Sequence, residues 1–142
     1  KSTATCNSIL ALIFNATAWA DIAEDDTTSP LGNLYVSLHT GDPGVGNNQT
    51  TNETAYTNYV RVAVARTTGG WDAPAAAATA NAALIQFAQC GVTGATLTHV
   101  AIGTASGGAG TVLYAGALSS SLAVANGIQP QFAAGALDVT ES

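Results

Sequence analysis

Residues 34–44 read Leu34-Tyr35-Val36-Ser37-Leu38-His39-Thr40-Gly41-Asp42-Pro43-Gly44. Leu34, Val36 and Leu38 alternate with Tyr35, Ser37 and His39. A period of two puts every second side chain on one face of a β-strand. Thr40 to Gly44 then stops the pattern. Proline cannot donate to a strand ladder, and Gly and Asp favour turns. A strand cut off this sharply sets the expectation for the rest of the chain.

Downstream, residues 41–58 form a long polar loop rich in Gly, Asn and Thr. Tyr59 to Arg66 alternates again, with Val60, Val62 and Val64 on one face and Tyr59, Arg61 and Ala63 on the other. Arg61 should therefore point out of the sheet, and Arg66 should sit near a strand end. Residues 69–80 make a connection with an alanine run. Pro74 and the Gly69-Gly70 pair favour a loop there over the helix that alanine propensity alone would suggest. Ala83, Ile85 and Phe87 alternate, and a turn follows at Gly91–Gly94. Thr96 to Ile102 reads as a strand, Gly103 to Gly110 as a loop, Val112 to Leu118 as a strand and Leu122 to Val124 as a shorter one. Asn126-Gly127 is a strong hairpin dipeptide. Ile128 to Phe132, with Pro130 marking an edge or bulge, and Leu137 to Val139 complete the set.

Upstream, residues 23–33 are an acidic link punctuated by Pro30 and Gly32. Before it, residues 7–19 read as a helix: Ile9, Leu10, Ile13 and Phe14 share one face, with Asn7 or Ser8 as cap. The fold class is mainly β: an antiparallel β-sandwich, jelly-roll or immunoglobulin-like, of about seven or eight strands behind one N-terminal α-helix. The chain reads as a single domain over 1–142, with an arm and helix at 1–22 and the sandwich at 34–140.

Charged residues make up 8% of the 142, against about 25% in typical soluble domains. A surface of Ala, Thr, Ser, Asn and Gly leaves water cheaply, because few charges need desolvation. That suits burial in a larger assembly, and it also suits a neutral Thr/Asn-rich coat. The formal net charge is −6, and Lys1, Arg61 and Arg66 are the fixed cations. Too few cations are present to neutralise phosphates or an anionic bilayer, which argues against nucleic-acid and membrane partners. Residues 9–14 are too short an apolar run to span a membrane and make a weak signal peptide. The chain starts at Lys1 and has no methionine, which leaves room for residues ahead of it.

Little in the sequence points to chemistry. His39 and His99 lie in separate strands. With Cys6 and Cys90 they lack zinc-ligand spacing, and the two cysteines read as free, small hydrophobes. Glu24, Asp25 and Asp26, or Asp42 with Asn47 and Asn48, offer oxygens. The 41–58 loop adds only Glu53, short of what calcium takes, so Asx-turns are the expected use. Neither Gly41/Gly44/Gly46 nor Gly103/Gly107/Gly108/Gly110 is followed by the Lys-Ser/Thr of a phosphate cradle. Asn15, Asn48 and Asn52 start Asn-x-Ser/Thr triplets of the kind chance supplies in such a chain. Paired carboxylates of the glycosidase kind are missing from any strand face. Trp19 reads as core; Trp71 fits a core or an interface equally. No catalytic, cofactor or metal residues are assigned, and an enzyme is not expected.

Three segments resemble a family of small tailed-bacteriophage proteins. Leu34 to Gly44 is similar to its strand and turn, Tyr59-Val60-Arg61-Val62-Ala63-Val64 to its second strand, and Thr98 to Ile102, Val112 to Leu118 and Phe132 to Leu137 to its C-terminal half. The family carries the labels head-decoration (capsid cement) and tail-fibre protein. The resemblance implies a β-sandwich, a structural place in the virion and no catalytic residues. It favours a cement protein, trimeric, binding and stabilising the major capsid protein lattice at the capsid surface after synthesis in the bacterial cytoplasm. The alternative is a tail or tail-fibre subunit with a host-receptor role, its contact loops at 41–58 and 103–110. The Ala-rich 73–83 stretch and the acidic residues 23–28 depart from the family pattern.

Overall fold

The computed structural model describes residues 2–19 and 31–142. Lys1 and the acidic Glu24, Asp25 and Asp26 lie outside the described residues. Helix α1 spans Thr3–Asn15, starting earlier than the apolar periodicity suggests. The reason is its cap: Ser2 is extended, and its hydroxyl accepts from the Thr5 amide at 3.2 Å. Asn7 and Ser8 are thus interior residues. Ala16 takes left-handed backbone (φ 50°) and ends the helix, and the Thr17 amide reaches back to the Ala11 carbonyl at 3.1 Å.

Eight strands follow: β1 Asn33–His39, β2 Val62–Ala65, β3 Ala78–Ala80, β4 Ile85–Gln86, β5 Ala95–Gly103, β6 Val112–Val124, β7 Gln131–Phe132 and β8 Asp138–Thr140. They form a four-stranded sheet in the order β2-β1-β5-β6 and two-stranded sheets β3-β8 and β4-β7. The β1–β5, β5–β6 and β3–β8 ladders are antiparallel. The chain is therefore mainly β with one N-terminal helix, as its periodicity implies, and none of these sheets closes into a barrel.

Several elements differ in detail. The Tyr59–Arg66 strand shrinks to β2, and Val60 is exposed, off the face it should share with Val62 and Val64. The two strands expected at 112–118 and 122–124 are one strand, β6. Its register against β5 slips between Leu97 and His99, where Leu118 to Ser121 face Thr98. A bulge accommodates such extra residues without ending the strand. Asn126-Gly127 does turn, with Gly127 at φ 86° and its amide on the Cys90 carbonyl at 2.9 Å. Yet it joins no hairpin, because β6 pairs with β5 and β7 with β4.

The described residues group into two compact units. The first takes the described parts of Lys1–Asn33 with Val64–Ile85 and Phe132–Ser142. Its core holds Cys6, Leu10 and Phe14 of α1 and Trp71, whose ring meets Phe14 edge-on at 4.7 Å. Trp71 is thus a core residue; Trp19 is half-buried. Arg66 closes the end of α1, donating to the carbonyls of Leu12 and Ile13 (both 2.6 Å) and of Leu31 (2.8 Å). A cation there also suits the negative end of the helix dipole. Asn81 is fully buried and fully used: its amide donates to the Ala83 and Ala133 carbonyls, and its oxygen accepts from Leu137 N–H, all at 2.8 Å.

The second unit takes Leu34–Ala63 and Gln86–Gln131. Leu34, Val36 and Leu38 of β1 are buried as the alternation requires, with Val36 opposite Ile102 and Leu38 opposite Val100 of β5. Ser37 and His39, on the other face, are also buried. Both faces of β1 are covered, and a polar pair sits inside. Cys6 and Cys90 are free and buried, and the Cys90 thiol donates to the Gly91 and Thr93 carbonyls, both at 3.4 Å.

Candidate functional site

The residues with chemical potential gather in the second unit, where the end of β1, loop 41–58 and loop 104–111 meet. His39 ends β1 and lies in register with His99 of β5. Its Nδ1 is 2.9 Å from the Thr51 carbonyl, which can only accept, so Nδ1 carries the proton. Nε2, 2.9 Å from the Ser37 hydroxyl, is then the acceptor. Burial pushes the His39 pKa below its ordinary value and keeps the ring neutral. A serine hydroxyl on a histidine nitrogen is the arrangement of a nucleophile and its base. Here both side chains are fully buried. The pair ties β1 to the loop from inside.

Arg61 reverses the sequence expectation. It does not point out of the sheet but is buried, 8% exposed. Its Nε and Nη2 each donate at 2.7 Å to the Glu53 carboxylate, a two-pronged ion pair. Nη1 and Nη2 also donate to the carbonyls of Ala105 (2.9 Å) and Gly108 (2.8 Å). The hydrogen bonds to Glu53, ahead of the burial that opposes them, hold the guanidinium pKa above its ordinary value. Tyr59 adds a third bond to Glu53 at 2.9 Å, while its oxygen accepts from Leu38 N–H at 3.1 Å. Burial raises the Tyr59 pKa strongly and pushes that of Tyr56 up to about 12, so both stay neutral phenols. Strand alternation missed this site because β2 begins only at Val62, leaving Arg61 free to turn into the loop.

Gln49 is the residue that sequence reasoning missed. It is fully buried in a loop that reads as solvated. Its amide donates to the Tyr35 carbonyl (3.2 Å) and its oxygen accepts from Ala105 N–H (3.1 Å). Its own N–H donates to the Gly110 carbonyl at 2.9 Å. Gly103 and Gly110 are glycines for this reason: a Cβ on either would overlap the Gln49 carboxamide. Gly103 and Gly110 thus make room for a glutamine.

The remaining candidates serve the loop. The Asp42 carboxylate accepts from Gly44 N–H at 2.8 Å, and Asn48 accepts from Thr50 N–H at 2.9 Å, both local turns of the expected kind. The Asn52 amide donates to the Asp42 carbonyl at 2.7 Å, and the Asn15 amide, in the first unit, to the Trp71 carbonyl at 3.1 Å. Among the described residues no three of His, Cys, Asp and Glu group as metal ligands, and no helix is long and apolar enough to cross a membrane. A groove of about 630 Å³ opens beside this network, between Asp42–Asn48 and Ala109–Ala115.

The family of the podophage GP4 fiber I protein gp80 matches residues 1–140 of this chain. The match covers almost the whole sequence, and the chain belongs to this family. It is a structural virion protein of a podophage. A search of curated proteins finds no match.

Proposed function

We propose that this chain is a non-catalytic fibre subunit on the tail side of the podophage particle, where loops 41–58 and 104–111 form its contact surface. The observation that carries the reading is the fibre-family match over residues 1–140. The site agrees with it. Ser37, His39, Arg61 and Gln49 spend their hydrogen bonds on each other, on Glu53 and on backbone, which fixes loop shape. A loop already fixed loses less entropy when it meets a partner. Val45 at the loop tip is fully exposed, an apolar contact on a stiff support.

Capsid cement remains a second reading, supported by the 8% charge content that lets the surface leave water cheaply. In that case the partner is the major capsid protein. Position and copy number in purified virions separate the two. Quantitative mass spectrometry with cryo-EM of the tail is expected to find few copies, placed at the tail. Copies at the scale of the capsid lattice would replace the fibre reading with cement. Absence of the chain from particles would remove both.

A further inference from the structure

Strand β6 is the longest strand, 13 residues, and it lies at the edge of its sheet. It runs alongside the nine residues of β5, roughly 30 Å of edge at about 3.3 Å per residue. Its only ladder among the described residues is to β5. Ala115 to Ala117 and Ser119 to Ala123 are all exposed, so neither face of this stretch is covered. Natural sheets blunt such edges with lysines, inward charges or prolines. β6 carries none of these: it reads Val112-Leu113-Tyr114-Ala115-Gly116-Ala117-Leu118-Ser119-Ser120-Ser121-Leu122-Ala123-Val124. Its blunting devices are the bulge at Leu118 to Ser121 and a smaller register shift at Leu113. These irregularities break the edge into shorter runs and limit open-ended stacking without closing the edge. The groove beside Val112 to Ala115 continues the same line.

Charge identifies the occupant. The chain carries −6, so two copies repel where their acidic residues meet. From Ala73 to Leu137 there is no Asp, Glu, Lys or Arg at all. β6 lies inside that stretch. Two copies can meet there without placing like charges together, and the small side chains let backbones approach to ladder distance. We propose that the β6 edge, with the groove at its start, seats a strand of a second copy of this chain. The inference rests on the reading of the chain as an assembling virion subunit and goes beyond it by naming the seam.

The test uses the full chain and sedimentation velocity over a range of micromolar concentrations. Wild type is expected at a multiple of its 14.1 kDa mass. The double variant Ala115→Asp/Ala117→Asp, which puts acid on exposed β6 positions, is expected at the monomer mass. Val92→Asp adds acid at a site 88% exposed outside β6, and is expected to keep the wild-type mass. Hydrogen exchange on wild type reads the seam without any substitution: amides of 114–123 should exchange several-fold more slowly in the multimer than after dilution. A monomeric wild type overturns the inference. So does a multimer that the Asp pair leaves intact, or unchanged β6 exchange on dilution. Any of these leaves the virion reading standing; absence of the chain from particles would remove that reading and leave the solution result in place.

Discussion

The Glu53–Arg61 pair gives the sharpest quantitative prediction. Glu53→Ala removes three hydrogen bonds to a carboxylate, two from Arg61 and one from Tyr59. Hydrogen bonds to charged groups contribute about 1.5–3 kcal/mol each but do not add. The larger cost is what remains: an Arg61 side chain only 2% exposed, with its countercharge gone. Breaking a buried pair from one side costs about 3–5 kcal/mol. Glu53 is 15% exposed, so Arg61→Ala leaves a carboxylate that water can still reach and that keeps Tyr59. Arg61→Ala should therefore cost less, about 2–3 kcal/mol. The double variant should lose less than the sum, with a coupling of about 2 kcal/mol. Urea denaturation of the four proteins measures all three quantities. At about 3 °C per kcal/mol for a chain of this size, Glu53→Ala should lower Tm by about 10 °C. A loss under about 1 kcal/mol for Glu53→Ala, or strict additivity, would refute the claim that this pair holds the loop.

Gly103→Ala should cost about 1–3 kcal/mol, and a Gln49→Ala background should relieve only part of it, because the new Cβ meets the Thr111 carbonyl as well as the Gln49 carboxamide; denaturation midpoints of the two pairs decide it. His39 has a lowered folded pKa, so below about 6.5 the unfolded chain binds a proton that the folded chain refuses. Stability from this group is therefore complete above that pH and is lost as pH falls through it. His39→Gln should flatten this part of a Tm–pH profile, and an unchanged profile would exclude the His39 assignment. Arg66→Ala should leave the carbonyls of Leu12, Ile13 and Leu31 without their guanidinium, costing about 1–3 kcal/mol. Faster hydrogen exchange across Thr3–Asn15 with β1 unaffected is the expected signature.

How much of this was legible depends on whether a residue's partner was local. β1 was legible because Leu34, Val36 and Leu38 follow the pleat, and the pleat alone decides their burial. The turn at Asp42 was legible because its carboxylate bonds two residues on. Arg61 was misplaced because alternation assumes that a strand continues, while its partners Glu53 and Ala105 lie 8 and 44 residues away. Gln49 sits in a Gly/Asn/Thr loop, and nothing local distinguishes it from solvated neighbours. Its one signal is indirect, in glycines at Gly103 and Gly110 that no left-handed φ requires. The start of α1 was missed because apolar spacing begins inside the helix, whereas the cap at Ser2 sets its first turn.

The same contrast bears on what the family-like residues do. Ser37, His39, Asp42, Tyr59 and Arg61 all belong to the segments that resemble phage proteins, and polar residues clustered in this way suggest a reactive centre. In the fold, each is spent on backbone geometry: His39 on Thr51, Asp42 on Gly44, Tyr59 on Leu38, Arg61 on Ala105 and Gly108. A loop of 18 residues without strands of its own cannot be held by apolar packing alone, because its backbone groups need partners wherever they are buried. Buried side chains from β1 and from the residues just ahead of β2 supply those partners. The polar residues are then the means by which a low-charge chain keeps a long loop in one shape.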